Sequence, residues 1–327
     1  MKNVSISRRK FLGTAAAAAA VAIVPVNFSF TAGPKKKKPN SRVNGVQLGV
    51  TTYSYGSMPH KVDDVIQYLL LAGVNSIELR NVAEEDLGLP PLPRRPRGQD
   101  MTEQERAEFA KAGQELREKQ RQWRLSLPMQ RYADMRKKFN DAGIKVHIVK
   151  FAPSSWSDEE IDYAYNAAKV LGTIGITDEY SDAAIQRLGK FAEKHHSLAM
   201  YHTHQQPAEP GFSFDSIFKY SPANMLNLDA GHYYGATGLH PNDIIIKYHD
   251  KMRSIHIKDK TGPKSNPAGA NMPFGKGETP IADILLLLKK EKWPISVDVE
   301  MEYTIPEGSD AAKEVAKSIE YMRNILE

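Results

Sequence analysis

Asp229, His256 and Glu300 close three successive β-rich runs: Leu228-Asp229-Ala230-Gly231-His232, Ile255-His256-Ile257-Lys258-Asp259 and Val299-Glu300-Met301-Glu302. Neighbouring strands lie about 4.8 Å apart, so side chains at their ends can meet around one ion. A donor set of carboxylate and imidazole suits one divalent metal ion, Mn2+, Mg2+, Co2+, Fe2+ or Zn2+. Such an ion, chelating a carbonyl and its neighbouring hydroxyl, acidifies the adjacent C–H and stabilises the enediolate left when a positioned base takes the proton. The candidate bases are Glu300, Glu179, His204 and Lys150, the last with a pKa expected to fall through burial and the charge of the ion. His232, Lys258 and Glu78 are read as groups that bind substrate oxygens or orient ligands; pairing with Asp259 or another rim acid is the competing role for Lys258. Proton return to the opposite face gives epimerisation, return to the next carbon gives isomerisation, and loss of a β-substituent gives a lyase.

These residues need a frame that brings strand ends together. From Val46 onward, short β-rich runs alternate with stretches of helical period, the pattern of parallel βα units. Strands are expected at residues 46–54, 76–80, 145–151, 174–177, 198–202, 225–229, 253–258 and 295–300. Helices are expected at 62–72, 129–142, 158–171, 182–195, 214–220, 241–251, 281–292 and 310–326. Ser157-Asp158-Glu159-Glu160 opens one helix with a capping residue, and Gly143 stops another. Eight such units, with no G-x-G-x-x-G after the first strand, predict an α/β fold of the closed (β/α)8 type rather than an open nucleotide-binding sheet. One segment breaks the rhythm: between strands 2 and 3, a proline-rich loop (Leu89-Pro90-Pro91-Leu92-Pro93) leads into a highly charged stretch over 102–123, expected as a solvated helix on the barrel rim. Active sites of such barrels form at the carboxyl ends of the strands, where all the residues above fall.

The chain has 327 residues and no cysteine, which excludes disulfide scaffolds, thiolate zinc, iron–sulfur clusters and thiol nucleophiles. Its net charge of +5 is misleading. Residues 1–40 hold eight of the 44 Lys and Arg and no acid, so the remainder sets 36 bases against 39 acids and stands at about −3. A slightly acidic body lacks the basic footprint of nucleic-acid binding, and none is expected. Ser7-Arg8-Arg9-Lys10-Phe11-Leu12 followed by an alanine-rich apolar run reads as a twin-arginine signal, with Lys35 to Lys38 as a basic linker. The expected organisation is therefore residues 1–40 as leader and 41–327 as a single domain. That implies the twin-arginine export machinery as a partner and a periplasmic location; an uncleaved anchor is the lesser reading, the apolar run being short for a span. Neither oligomeric state nor cleavage site is legible.

Tyr201-His202-Thr203-His204, Asp229-Ala230-Gly231-His232, His256-Ile257-Lys258-Asp259, Phe274-Gly275-Lys276-Gly277-Glu278-Thr279 and Val299-Glu300-Met301-Glu302, in this order, resemble the xylose isomerase-like sugar phosphate isomerase/epimerase family. Ile77-Glu78-Leu79-Arg80 and Gln122-Trp123-Arg124-Leu125-Ser126 are similar to its exported bacterial branch. The resemblance covers residues 45–327 and implies a TIM barrel with one divalent metal ion held by Glu, Asp, His and Glu. Asp229, His256 and Glu300 match the last three; His202 stands where the family has its first glutamate, and Glu179, one strand earlier, is the alternative carboxylate. The implied activity is isomerisation or epimerisation of a free sugar, keto-sugar or small glycoside. A 3-keto-glycoside lyase or dehydratase on the same site and an inactive carbohydrate-binding barrel are the alternatives. Too few His and Asp ligands for a multi-metal site, together with export and the acidic body, disfavour an endonuclease.

Overall fold

The computed structural model describes residues 38–80, 82–92 and 101–327. Residues 1–37, most of the leader expected at 1–40 and including its twin-arginine pattern, lie outside the described residues, as do residues 93–100. Residues from Lys38 to Glu327 form one compact unit.

Eight parallel strands close on themselves: β1 (Val46–Thr51), β2 (Ser76–Leu79), β3 (Lys145–Lys150), β4 (Gly175–Glu179), β5 (Leu198–His202), β6 (Asn224–Asp229), β7 (Met252–Ile257) and β8 (Ser296–Val299). Each pairs with the next in sequence, and β8 pairs with β1 to complete the ring. The predicted (β/α)8 barrel is therefore the observed fold. Strands buried on both faces explain the near-continuous apolar runs. The Val, Ile and Leu side chains of the strands, with Leu69, Ile161, Leu188, Ile284 and Ile319 from surrounding helices, make one continuous core.

The predicted helices 62–72 and 158–171 appear as Val62–Ala72 and Asp158–Leu171. The first is stopped by Gly73 at φ 66°, and the second opens with the Ser157 hydroxyl accepting from the Glu160 amide. Two short helices are additional to the sequence reading: Val82–Leu87 and Ala230–Thr237. The fourth strand runs two residues beyond its predicted end, so Glu179 is its last residue rather than a loop residue.

The inserted helix, Glu103–Ser126, is capped by Thr102 and largely exposed, as predicted, but it is not simply laid on the rim. Arg124, in its last turn, is buried. Its guanidinium pairs with Glu84 at 2.8 Å and Glu160 at 3.0 Å and lies 3.6 Å over the Trp156 ring. Gln120 adds a hydrogen bond to the Pro90 carbonyl at 2.6 Å.

Candidate metal centre

The carboxyl ends of β4 to β8 deliver the predicted residues to one place. Glu179 is the register partner of His202, and Asp229 of His256, while the Glu300 amide bonds the Ile257 carbonyl at 3.0 Å immediately after β8. One donor atom from each of His202, Asp229, His256 and Glu300 lies within 4.8 Å of the others, and all four side chains are buried.

Each member has a distinct local reason for its position. Asp229 ends β6 and at once caps the helix Ala230–Thr237, its Oδ1 accepting from the His232 amide at 2.7 Å. That bond fixes the carboxylate and leaves Oδ2 facing inward. Gly231 permits this turn: a Cβ there would lie 2.5 Å from the Lys258 carbonyl oxygen and 2.3 Å from its Cγ. His202 is buried with neither ring nitrogen hydrogen-bonded. Burial first, and then the positive charge of His256, holds its pKa well below the usual histidine value, so the ring is neutral and its lone pair available.

His256 is set between two carboxylates. Its Nδ1 is 2.9 Å from Glu300 Oε2, and its Nε2 bonds Glu78 Oε2. Burial opposes its charge, but Glu78 and Glu300 outweigh burial and raise its pKa well above the usual value. In return Glu78, which burial alone would push up, is brought down to about 2, chiefly by His256. Glu78 is fully buried, and its other oxygen accepts from the Thr177 hydroxyl. Of the two roles open to Glu78 in the sequence, its position favours the second: it lies behind His256 and bonds that ring, as carboxylates behind ligating histidines do.

Glu300 collects cations. Arg80 reaches Oε1 at 2.9 Å, and Lys258 reaches Oε2 at 2.9 Å. Lys258 also pairs with Asp229 at 2.9 Å and Glu302 at 2.8 Å. Those three acids overcome burial and raise its pKa; Lys258, then His256, overcome burial at Glu300 and lower its pKa strongly. Lys258 therefore pairs with acids of the centre, whereas Asp259 accepts the amides of Gly275, Gly277 and Thr279 and ties down the Phe274–Thr279 segment. Arg80 had no role in the sequence reading; its place directly after the β2 strand end was the available signal.

The remaining candidates form the mouth. Lys150, buried at the end of β3, bonds the half-exposed carboxylate of Glu179, and His204 Nδ1 lies 3.7 Å from the other Glu179 oxygen. His232 Nε2 stands 3.7 Å from Glu302 and 4.0 Å from Asp229; burial lowers its pKa first, with Lys258 adding to the shift against the opposing pull of Asp229. The rings of His202, His204 and His232 follow one another at 4.6 and 4.8 Å between centroids. Of the aromatic residues near the strand ends, Tyr55 and Tyr201 are packed in the core, with Tyr201 bonded to Asn224, whereas Tyr53 is exposed beneath Arg80.

Residues 178–325 match a family model described as xylose isomerase-like TIM barrel. Over that part, the chain is similar to the xylose isomerase-like TIM barrels. No curated protein sequence matches it significantly. Among solved structures, this barrel is similar to a sugar phosphate isomerase/epimerase from Parabacteroides distasonis, at 18% identity over 85% of this chain and 94% of that one, TM-score 0.55. It is also similar to the probable 3-DHS dehydratase AsbF of petrobactin synthesis from Bacillus anthracis, at 12% identity over 84% and 98%, TM-score 0.55. A xylose isomerase-like barrel protein from Mycobacterium smegmatis in complex with magnesium matches at 13% identity over 86% and 96%, TM-score 0.50.

A cation fits the donor set. His202 offers two buried nitrogens without hydrogen-bond partners, and Asp229 Oδ2, which meets Lys258 at 2.9 Å, stands 3.9 Å from His202 Nε2 and 4.0 Å from His232 Nε2. Both His256 ring nitrogens are engaged by Glu300 and Glu78, so His256 would hold an ion only in exchange for one of these contacts, and that to Glu300, itself a donor of the cluster, is the one an ion would replace.

Proposed function

We propose that this barrel is a divalent-metal-dependent isomerase or epimerase of a free sugar, keto-sugar or small glycoside, exported in the folded state. The observation that supports it most is the convergence of His202, Asp229, His256 and Glu300 at the strand ends, with the His202 nitrogens buried and unpartnered. A bound divalent cation would polarise a substrate carbonyl and hydroxyl and lower the barrier to proton loss from the neighbouring carbon.

The chain's own residues divide the remaining work. Glu300 is tied by Arg80, His256 and Lys258 and is a poor base. Glu179 is half-exposed at the mouth, beside Lys150 and His204, and is the better placed group to take a proton from substrate. Lys150 then supplies a proton donor on the same side. His232 and Glu302 face the opening beside Asp229 and are placed to bind hydroxyl groups. The dehydratase alternative uses the same pair: Glu179 removes the proton and the Lys150 ammonium protonates a departing β-substituent.

The test is proton exchange. Metal-analysed protein is incubated in D2O with a panel of aldoses, ketoses and 3-keto-glycosides and followed by NMR. Deuterium at a carbon next to the carbonyl, with an isomeric product, supports isomerase or epimerase; release of water or an aglycone supports the lyase. Metal-loaded protein that exchanges no proton in any of them defeats the reading.

A further inference from the structure

At the opposite mouth of the barrel, where the strands begin, lies a constellation that the proposed chemistry does not use. Ser76 is the first residue of β2, Asp298 lies in β8 and His147 in β3. The β2–β3 ladder slips here: Ile77 pairs with Val146 and Glu78 with Ile148, which leaves His147 as the extra residue of a bulge. A bulge re-aims its side chain, and the His147 ring is turned into the barrel, 4% exposed. Its Nδ1 lies 2.9 Å from Ser76 Oγ, and its Nε2 lies 2.9 Å from Asp298 Oδ2, which also accepts from Ser254. A carboxylate can only accept, so Nε2 carries the hydrogen and Nδ1 is the basic nitrogen facing the serine hydroxyl.

Ser76 and His147 line a cavity of about 240 Å3, together with Gln47, Asn75, Lys145 and Trp293. The orientation of Asn75 is fixed. Its Oδ1 accepts from the Ser41 backbone amide at 3.1 Å, the Ser41 hydroxyl at 2.7 Å and Gln47 Nε2 at 3.0 Å. An atom that accepts from a backbone N–H must be the oxygen, so Nδ2 is the free end, and it donates to no other group among the described residues. Lys145 is exposed at the head of β3 and makes no ion pair among the described residues.

We propose that Ser76, His147 and Asp298 form a second, acyl-transfer site that accepts short acyl esters, with preference for those bearing negative charge near Lys145. The order of groups is nucleophile, base and carboxylate, as that chemistry requires. Ser76 Oγ bonds the acyl carbon while its proton passes to His147 Nδ1. The ester C–O bond then breaks and the proton leaves with the alcohol. Water repeats the exchange to release the acid and restore the serine. The Asn75 amide, which lines the same cavity and has its Nδ2 unengaged among the described residues, is the donor available to the oxyanion.

The full chain, metal-loaded, is treated with a small alkyl fluorophosphonate and separately with p-nitrophenyl acetate, and the adduct is located by peptide mass spectrometry. An adduct on Ser76 is expected, absent in Ser76→Ala and formed at least tenfold more slowly in His147→Gln. Asn75→Ala should lower ester turnover about 100-fold. Metal retained at the other mouth shows that each variant is folded. Ser76 left unmodified in folded wild-type protein, or modified equally fast in His147→Gln, overturns the proposal.

Discussion

His256 shows how one residue's environment sets a testable property of the whole protein. It is buried between Glu78 and Glu300, its pKa raised, while that of Glu78 is depressed to about 2. A depressed carboxylate contributes stability that is present above its unfolded value of 4.5 and is lost as pH falls through its folded value. The metal-free protein should therefore lose stability between about pH 4.5 and 2, and Glu78→Gln should remove the share that belongs to Glu78, leaving that of Glu300. The variant should also be less stable at neutral pH by about 3 kcal/mol, because it leaves a buried imidazolium with one partner fewer. Urea unfolding of both proteins across pH measures this; parallel curves would show that Glu78 does not charge-pair with His256. At the centre itself, Asp229→Ala, His256→Ala and Glu300→Ala should each abolish bound metal in elemental analysis. His202→Glu should retain metal, since a carboxylate at that strand end replaces one donor with another. Loss of fold in His202→Glu would mean that the ring is packing rather than a ligand.

At the scale of elements, the strand ends were legible because a parallel barrel makes short apolar runs that stop abruptly at polar residues, as Leu228-Asp229 and Val299-Glu300 do. The helix Ala230–Thr237 was not. It has eight residues, two of them glycine, and no apolar stripe, so nothing in its period announces it; the Asp229 cap and the close approach to Lys258 hold it. His147 was hidden for a different reason. A bulge adds one residue to a ladder and reverses which side chains face inward, and strand periodicity read from sequence assumes no bulge. For Glu78 the sequence left two roles open, substrate binding and ligand orientation, since reading strand ends does not say which of two layers a side chain occupies. Gly231→Ala follows from the same close contact: the added methyl must displace the Lys258 backbone, so the variant should bind metal more weakly by titration calorimetry and unfold at lower denaturant. The inserted helix is held chiefly by the buried Arg124 ion pairs. Arg124→Ala leaves Glu84 and Glu160 buried without their cation, which should cost about 3 kcal/mol. It should also open residues 103–126 to limited proteolysis while the barrel stays intact.

The molecule as a whole carries two charge regimes. Residues 1–40 hold eight bases and no acid, and the remainder is at about −3, so the basic character belongs to the first forty residues and not to the barrel. The described unit begins at Lys38 and contains every residue of the candidate centre. A barrel whose donors come from four strands far apart in sequence holds a cation only when all four are in place, so loading requires a folded chain. Passage in the folded state lets an ion be chosen before the protein leaves the compartment that supplies it, and this is what the Arg8-Arg9 pair is proposed to arrange. Arg8→Lys with Arg9→Lys should then leave the protein inside the cell, folded and carrying its metal, with the exported fraction at background in fractionation and elemental analysis of each pool. The same protein recovered outside in normal amount would show that the pair does not direct export; recovered inside but metal-free, it would show that loading follows translocation, and the link between folding, loading and export would have to be given up.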